Sequence, residues 1–140
     1  HGGIERQYTV EQMQKDLAHY AIDKGANLVI GHHPHVVQGV EKYKDAYMAY
    51  SLGNFCFGGN QNPVDKDAII FQQTFTFNNN KLEHNDNIKI IPVSISSVTT
   101  RNNYQPTIVE GSAKNRIINK VNQSSTVFKI AFNEDGTLKK

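Results

Sequence analysis

The apolar positions of this chain fall first at helical spacing. Met13, Leu17, Ala18 and Ala21 recur within residues 9–24 with the period of one helix face, and Gly25 closes the run. Thr9 is placed to cap that helix, with Gln12 three residues on completing a capping box. The stretch 27–30 is short and apolar, which predicts a buried strand rather than a second helix. Residues 46–52 predict another strand, ending in Gly53-Asn54. A helix feeding buried strands predicts α/β layers.

The pattern changes near residue 60. Residues 60–63 are turn-rich, and in 68–77 Phe71, Phe75 and Phe77 alternate against polar neighbours, as in a half-buried strand. Asn78-Asn79-Asn80 marks a turn, and 88–98 reads as the antiparallel partner. Residues 111–122 predict a helix capped by Ser112, with Ile117, Ile118 and Val121 on its buried face. A last strand is expected over 127–132, before the Asn133-Glu134-Asp135-Gly136 turn. No internal repeat or low-complexity tract interrupts this order.

Composition narrows the classes. The 140 residues suffice for one small domain with a core. An apolar share of 38% with 20% charged residues is that of a folded chain. A net charge of +2, with the basic residues dispersed, argues against a nucleic-acid partner. Cys56 is the single cysteine, so neither an internal disulfide nor a C-x-x-C motif is possible. Lying between Phe55 and Phe57, it reads as a small buried hydrophobe. No run approaches the ~20 apolar residues of a membrane span, and no signal peptide is visible. The chain opens at His1 without a methionine, so the native N-terminus is expected upstream.

The chemistry concentrates where the first strand ends. Three of the six histidines, His32, His33 and His35, follow Gly31 directly. Loops at the carboxyl ends of strands are where α/β sheets place their ligands. Neutral imidazole suits zinc, manganese and iron. Pro34 fixes its own φ and restricts His33, which stiffens the loop. Spacing alone leaves three readings open: a metal site, phosphate-binding or acid–base histidines, and a polar surface loop. Glu5 could orient a histidine, face a substrate or simply be solvated. Asn54 could donate to a bound anion or close a turn after Gly53. Phe55 and Phe57 read as core, His19 as a boundary residue and His84 as a solvated loop residue. Arg101 and Tyr104 could touch a substrate or lie on plain surface.

Taken together, Gly31-His32-His33-Pro34-His35-Val36-Val37-Gln38 and Tyr50-Ser51-Leu52-Gly53-Asn54-Phe55-Cys56-Phe57 resemble the paired C-terminal signature of the CapA family of poly-γ-glutamate capsule biosynthesis proteins. The opening His1-Gly2-Gly3-Ile4-Glu5 is similar to that family's His-Trp/Gly-Gly-x-Glu segment. Gln14, Leu17, Ala18, Asp23, Gly25 and Ala26 match its connecting helix. Pro92-Val93-Ser94-Ile95, Gln105-Pro106 and the helix after Gly111 resemble its C-terminal extension.

The resemblance implies the C-terminal part of a calcineurin-like metallophosphatase fold, a layered α/β sandwich with mixed and antiparallel strands in its second half. On that reading residues 1–59 bear the motifs and 60–140 form a strand-rich extension of one domain whose N-terminal half lies upstream. His1 matches the family's lone histidine, and His33 and His35 its closing His-x-His; these three are the implied metal ligands. His32 falls at a variable position, beside the ligands. Glu5 and Asn54 complete the implied catalytic set. The Asp-x-His, bridging Asp and Asn-His positions have no counterpart here and would precede His1. The implied cofactors are divalent ions (manganese, iron or zinc), two in the full-length protein.

The resemblance further implies a capsule biosynthesis protein whose metal-dependent phosphoesterase-like site is incomplete in this chain. The full-length protein would be a hydrolase and this stretch alone inactive. The alternative is a non-catalytic accessory or metal-binding module in capsule or envelope polymer assembly. Implied partners are the polymer synthesis or export machinery. The implied location is extracytoplasmic, with membrane association only through segments outside these residues.

Overall fold

The structure is a computed structural model that describes the backbone of residues 1–140 and every side chain except those of His84 and Asn85. Helix α1 (Gln12–Asp23) leads into β1 (Leu28–Ile30), β2 (Val40–Tyr43) and β3 (Ala46–Ala49). These strands form one mixed sheet in the order β1-β3-β2, with β1 parallel and β2 antiparallel to β3. Strands β4 (Asp67–Asn78), β5 (Lys81–Ser94) and β6 (Thr107–Ile108) make a second, wholly antiparallel sheet. Helix α2 (Gly111–Ser125) and a 3-10 turn (Thr126–Phe128) follow. The fold is α/β, as the sequence predicts. No helix among the described residues is long and apolar enough to cross a membrane.

Strand β3 is the centre of the layers. Its side chains alternate between two cores, as the two-residue repeat of a strand requires. Tyr47 and Ala49 join Val37, Val40, Ile69, Ile90 and the α2 residues Ile117, Ile118 and Val121. Ala46, Met48 and Tyr50 turn the other way, onto Ala18 and Ile22 of α1. A strand covered on both faces reads as continuous apolar sequence, which is what 46–50 shows.

Several local expectations are corrected. The cap of α1 is Glu11, not Thr9, because Val10 is drawn into the core beneath the helix before the first turn starts. Glu11 and Gln14 form the capping box, and the Glu11 N–H donates to Gln14 Oε1 at 3.0 Å. The buried stripe is Gln14, Ala18 and Ile22. Met13 and Leu17 therefore point outward, 63% and 62% exposed, and edge a groove of about 220 Å³ beside Ile30 and His32. The cap residue of α2 is Glu110, so Ser112 lies inside the helix, while Ile117, Ile118 and Val121 are buried as expected.

The expected strand over 127–132 is a 3-10 turn ending at Lys129 in the left-handed region. The Asn122 side chain holds the end of this segment, accepting from the Phe132 N–H at 2.8 Å and donating to its carbonyl at 3.0 Å, and Phe132 pairs only in an isolated bridge to Leu138. The β4–β5 hairpin turns on Asn79 and Asn80, both at positive φ, the conformation that matches strand twist in two-residue turns. His84 lies in β5 rather than in a loop, and its side chain is outside the described residues.

One buried charge cluster locks α2 to the start of β4. Asp67 receives a forked pair of bonds from Arg116, at 3.0 and 2.7 Å. Lys120 adds contacts to Asp67 at 2.6 Å and Asp65 at 2.9 Å. Burial alone would raise the Asp67 carboxyl, but Arg116 and Lys120 outweigh it and hold the group below the ordinary carboxylate range.

Candidate functional site

The histidine loop leaves the end of β1 at Gly31, and only glycine fits there. A side chain at this position would put its first carbon 2.2 Å from the Tyr50 carbonyl oxygen. The Gly31 N–H continues the sheet by donating to Ala49 at 2.8 Å. The next residues therefore emerge directly at the sheet's carboxyl end.

The loop that follows is wound tightly. His33 has φ 111° and His35 φ 60°, left-handed values that cost side-chain-bearing residues on the order of 1–3 kcal/mol each. This differs from the extended geometry that a following proline favours at His33. The surrounding bonds enforce it. Residues 1–8 cross the loop as a strap: the Gly2 N–H donates to the His32 carbonyl at 3.1 Å and the Arg6 N–H to the Pro34 carbonyl at 2.7 Å. At the base, buried Gln38 donates to the Gln7 and Thr9 carbonyls at 2.9 and 3.1 Å and accepts from Gln14 at 2.9 Å. The resemblance to a known signature named Gln14 and Gln38, but only the fold shows that they fasten the strap.

The result is a row of rings. His1 and His33 are 4.5 Å apart between centroids, His33 and His35 6.3 Å, and His35 and Phe57 4.9 Å. Residues some thirty positions apart in sequence are thus brought together. Asn54, 8% exposed, fixes the third ring: its Oδ1 lies 2.7 Å from His35 Nδ1, and its Nδ2 donates to the His35 carbonyl at 3.4 Å. With the amide nitrogen facing the carbonyl, Oδ1 is placed to accept from an Nδ1–H, the tautomer that would leave Nε2 with its lone pair. His32 is exposed and contributes its carbonyl to the strap.

A cleft of about 390 Å³ opens beside His35, lined by Glu5, Arg6, Tyr8, Asn54 and Phe57 among others. Glu5 is exposed and shares this cleft with His35. Phe57 is half-buried against the imidazole rather than core, Phe55 is 48% exposed, and Cys56 is an exposed free thiol. These three leave the sheet after the Val37–Leu52 bridge, so no layer covers them. Sequence reasoning gave Phe57, Arg6 and Tyr8 no part in the site, since nothing in their spacing ties them to the histidines.

Other candidates lie elsewhere. His19 contacts Glu41 at 3.0 Å and stacks on Tyr43, and Tyr50 donates to the same carboxylate at 2.6 Å. Burial, with Glu41 alongside, raises the Tyr50 hydroxyl far above its usual range. Arg101 and Tyr104 are not among the residues lining the cleft.

The donor set bears directly on a metal. An Nε2 lone pair fixed by a bond to the opposite nitrogen is how ligating histidines are usually oriented. Among the described residues, however, no group of three or more His, Cys, Asp or Glu side chains is arranged to hold an ion. His35, its ring held by Asn54, has the form of a single imidazole donor, and the described residues do not by themselves make a closed cage.

Residues 1–59 match the family model of the bacterial capsule synthesis protein PGA_cap. The chain is 37% identical over 70 residues to the capsule biosynthesis protein CapA of Bacillus anthracis, across 50% of this chain and 17% of that protein. It is 42% identical over 57 residues to the PGA biosynthesis protein CapA of Bacillus subtilis (strain 168), across 41% of this chain and 15% of that protein. An uncharacterized protein of Sinorhizobium fredii, y4sH, is 43% identical over 54 residues, 39% of this chain and 12% of its own length. The aligned stretches are thus a small part of each relative. The matched segment contains the strap, the histidine loop and Asn54, and it is through residues 1–59 that the chain is similar to the CapA proteins of bacterial capsule synthesis.

Proposed function

We propose that this chain contributes the histidine face of a metal-dependent phosphoesterase-like site in a CapA-type capsule biosynthesis protein. The observation that carries the reading is the Asn54–His35 pair beside a cleft, an arrangement that favours an Nδ1–H donor and would leave Nε2 to bind. His1, His33 and His35 would be the ligands this chain supplies. Carboxylate ligands would come from outside residues 1–140.

A divalent ion held there would polarise a phosphoryl oxygen and lower the pKa of a bound water. The chain's own residues do the positioning. Asn54 orients His35, the strap seats His1 against His33, and Phe57 shields one side of the His35 ring from water. Glu5 lines the same cleft as an exposed carboxylate, suited to accept a hydrogen bond from a substrate hydroxyl or water. Capsule polymer machinery as partner, and a place outside the cytoplasm, are part of the same proposal.

A non-catalytic reading has one observation in its favour: among the described residues no group of three or more His, Cys, Asp or Glu side chains is arranged to hold an ion. Metal content and phosphodiester turnover, measured on the full-length protein, separate the two. Loss of bound metal in His33→Ala and His35→Ala, with turnover lost alongside, is the expected result. Unchanged metal stoichiometry in both variants would remove the ligand assignment, and metal without turnover would select the accessory role.

A further inference from the structure

We infer that Arg6 is the anchoring cation for an oxyanion group of the ligand, seated in the cleft beside His35. The inference rests on the proposed site and names the class of ligand it would take: one bearing a phosphate or carboxylate.

Four features of the cleft converge on this. Arg6 lines the same cavity as His35 and Asn54. Its backbone is pinned there, since its N–H donates to the Pro34 carbonyl at 2.7 Å, so the side chain departs from a fixed point next to the histidine loop. Arg6 also sits at φ 63°, where a glycine would be at ease and an arginine is strained. A side chain retained at such a position is a reason to look for a role that needs it.

The last feature is the charge arrangement. The two carboxylates that line the cleft with Arg6 are Glu5 and Asp65. Asp65 is already committed, accepting from Tyr8 at 2.6 Å and from Lys120 at 2.9 Å. Neither carboxylate forms an ion pair with Arg6, and among the described residues no ion pair includes it. Tyr8 thus turns its hydroxyl toward Asp65, and Glu5 and Arg6, both exposed, are left as the unpaired charges of the cleft, with Arg6 its unpaired cation. A planar guanidinium offers paired donors that match the two oxygens of a phosphate or carboxylate.

The test titrates inorganic phosphate, and separately acetate, into the full-length protein with chelator present and ionic strength held constant with chloride. The readouts are NMR shifts of the Arg6 Nε–H and the Asn54 side-chain amide. Wild type should saturate with a dissociation constant of about 1 mM or tighter for at least one of the two anions, and the anion preferred assigns phosphate or carboxylate. Arg6→Gln and Arg6→Gly should each weaken binding about tenfold. Arg6→Lys should keep part of it, having charge but not the fork. Arg6→Gly relieves the backbone, so a folded variant that no longer binds separates ligand contact from structure.

No saturation in wild type with either anion, or wild-type affinity kept by the glutamine and glycine variants, would overturn the assignment. Because metal is absent throughout, the result is independent of the ligand proposal for the histidines. A parallel zinc titration of wild type and Arg6→Gly, read at the imidazole resonances, should give the same response in both; loss of the zinc response in the folded glycine variant would place Arg6 in metal binding instead.

Discussion

Replacing Asn54 by leucine tests the link on which the site depends. The substitution keeps the volume nearly constant and removes both bonds to His35, the Nδ1 contact at 2.7 Å and the carbonyl contact at 3.4 Å. The first is short and sheltered, since Asn54 is 8% exposed, so it should contribute about 1 kcal/mol net. That amount is confined to one tautomer, because only Nδ1–H can donate to Oδ1. It therefore corresponds to a shift of about fivefold in the ratio of the two neutral forms. The assay is long-range 1H–15N correlation of the His35 ring above its titration range, where the two nitrogens are distinguished by shift. Wild type should show Nδ1 protonated, and Asn54→Leu should move the population toward Nε2–H. Urea unfolding should report a loss of about 1–2 kcal/mol, from the His35 groups left without partners. In a metal-loaded full-length protein, affinity should fall about 10–100-fold, as for other supports of ligating histidines. If neutral wild type carries its proton on Nε2, or if the ratio is the same in both proteins, Asn54 does not set the tautomer and the reasoning fails.

Two further outcomes concern the frame around the site. Asp67→Asn should cost about 2 kcal/mol near neutral pH, less than for a sealed ion pair because Arg116 is half exposed and Lys120 keeps Asp65. Since the folded-state carboxyl is held low, its stabilisation is present above the unfolded value of about 4 and is lost as pH falls through the lower folded value. Urea midpoints measured from neutral pH down to about pH 3 should therefore decline more gently in the variant, and parallel acid limbs would count against it. Gly31→Ala should destabilise by about 2–3 kcal/mol, because the added carbon meets the Tyr50 carbonyl at 2.2 Å. It should also shift the His33 and His35 resonances; a variant with native stability and unmoved rings would show that the strand end is looser than drawn.

How far the sequence could be read depended on whether an element was specified locally. Helix α2 carries its buried face in its own spacing, and the hairpin is dictated by Asn79 and Asn80, which tolerate positive φ. Strand β2 was not anticipated, because Val40-Glu41-Lys42-Tyr43 alternates over too few residues and its partner is β3, reached through a two-residue turn. In α1 the inward stripe includes Gln14, a polar residue buried because Gln38 is waiting for it, so a hydrophobic pattern settled one residue away on Met13 and Leu17. Cys56 and Phe55 show the converse: apolar letters with no layer above them.

The histidine loop was legible as chemistry, and its meeting with His1 was expected only through resemblance. Nothing in residues 1–8 alone says that they will cross Pro34. The partnership of Asn54 with His35 needed the bridge between Val37 and Leu52, which brings two strand ends side by side. The proposed role of Arg6 needed its backbone angle and the absence of an ion pair to it among the described residues, neither of which is a property of sequence spacing.

The amide of Gln38 has a consequence for how this protein tolerates change. One side chain receives from the helix and gives to two carbonyls of the opening segment, using its oxygen and its nitrogen in opposite directions. A carboxylate in its place would face those two carbonyls with nothing to donate, and an aliphatic group would strand three polar partners out of water. Helix, entry segment and histidine turn are therefore obliged to vary together, so grafting any one of them onto a related scaffold should succeed only when the glutamine pair travels with it.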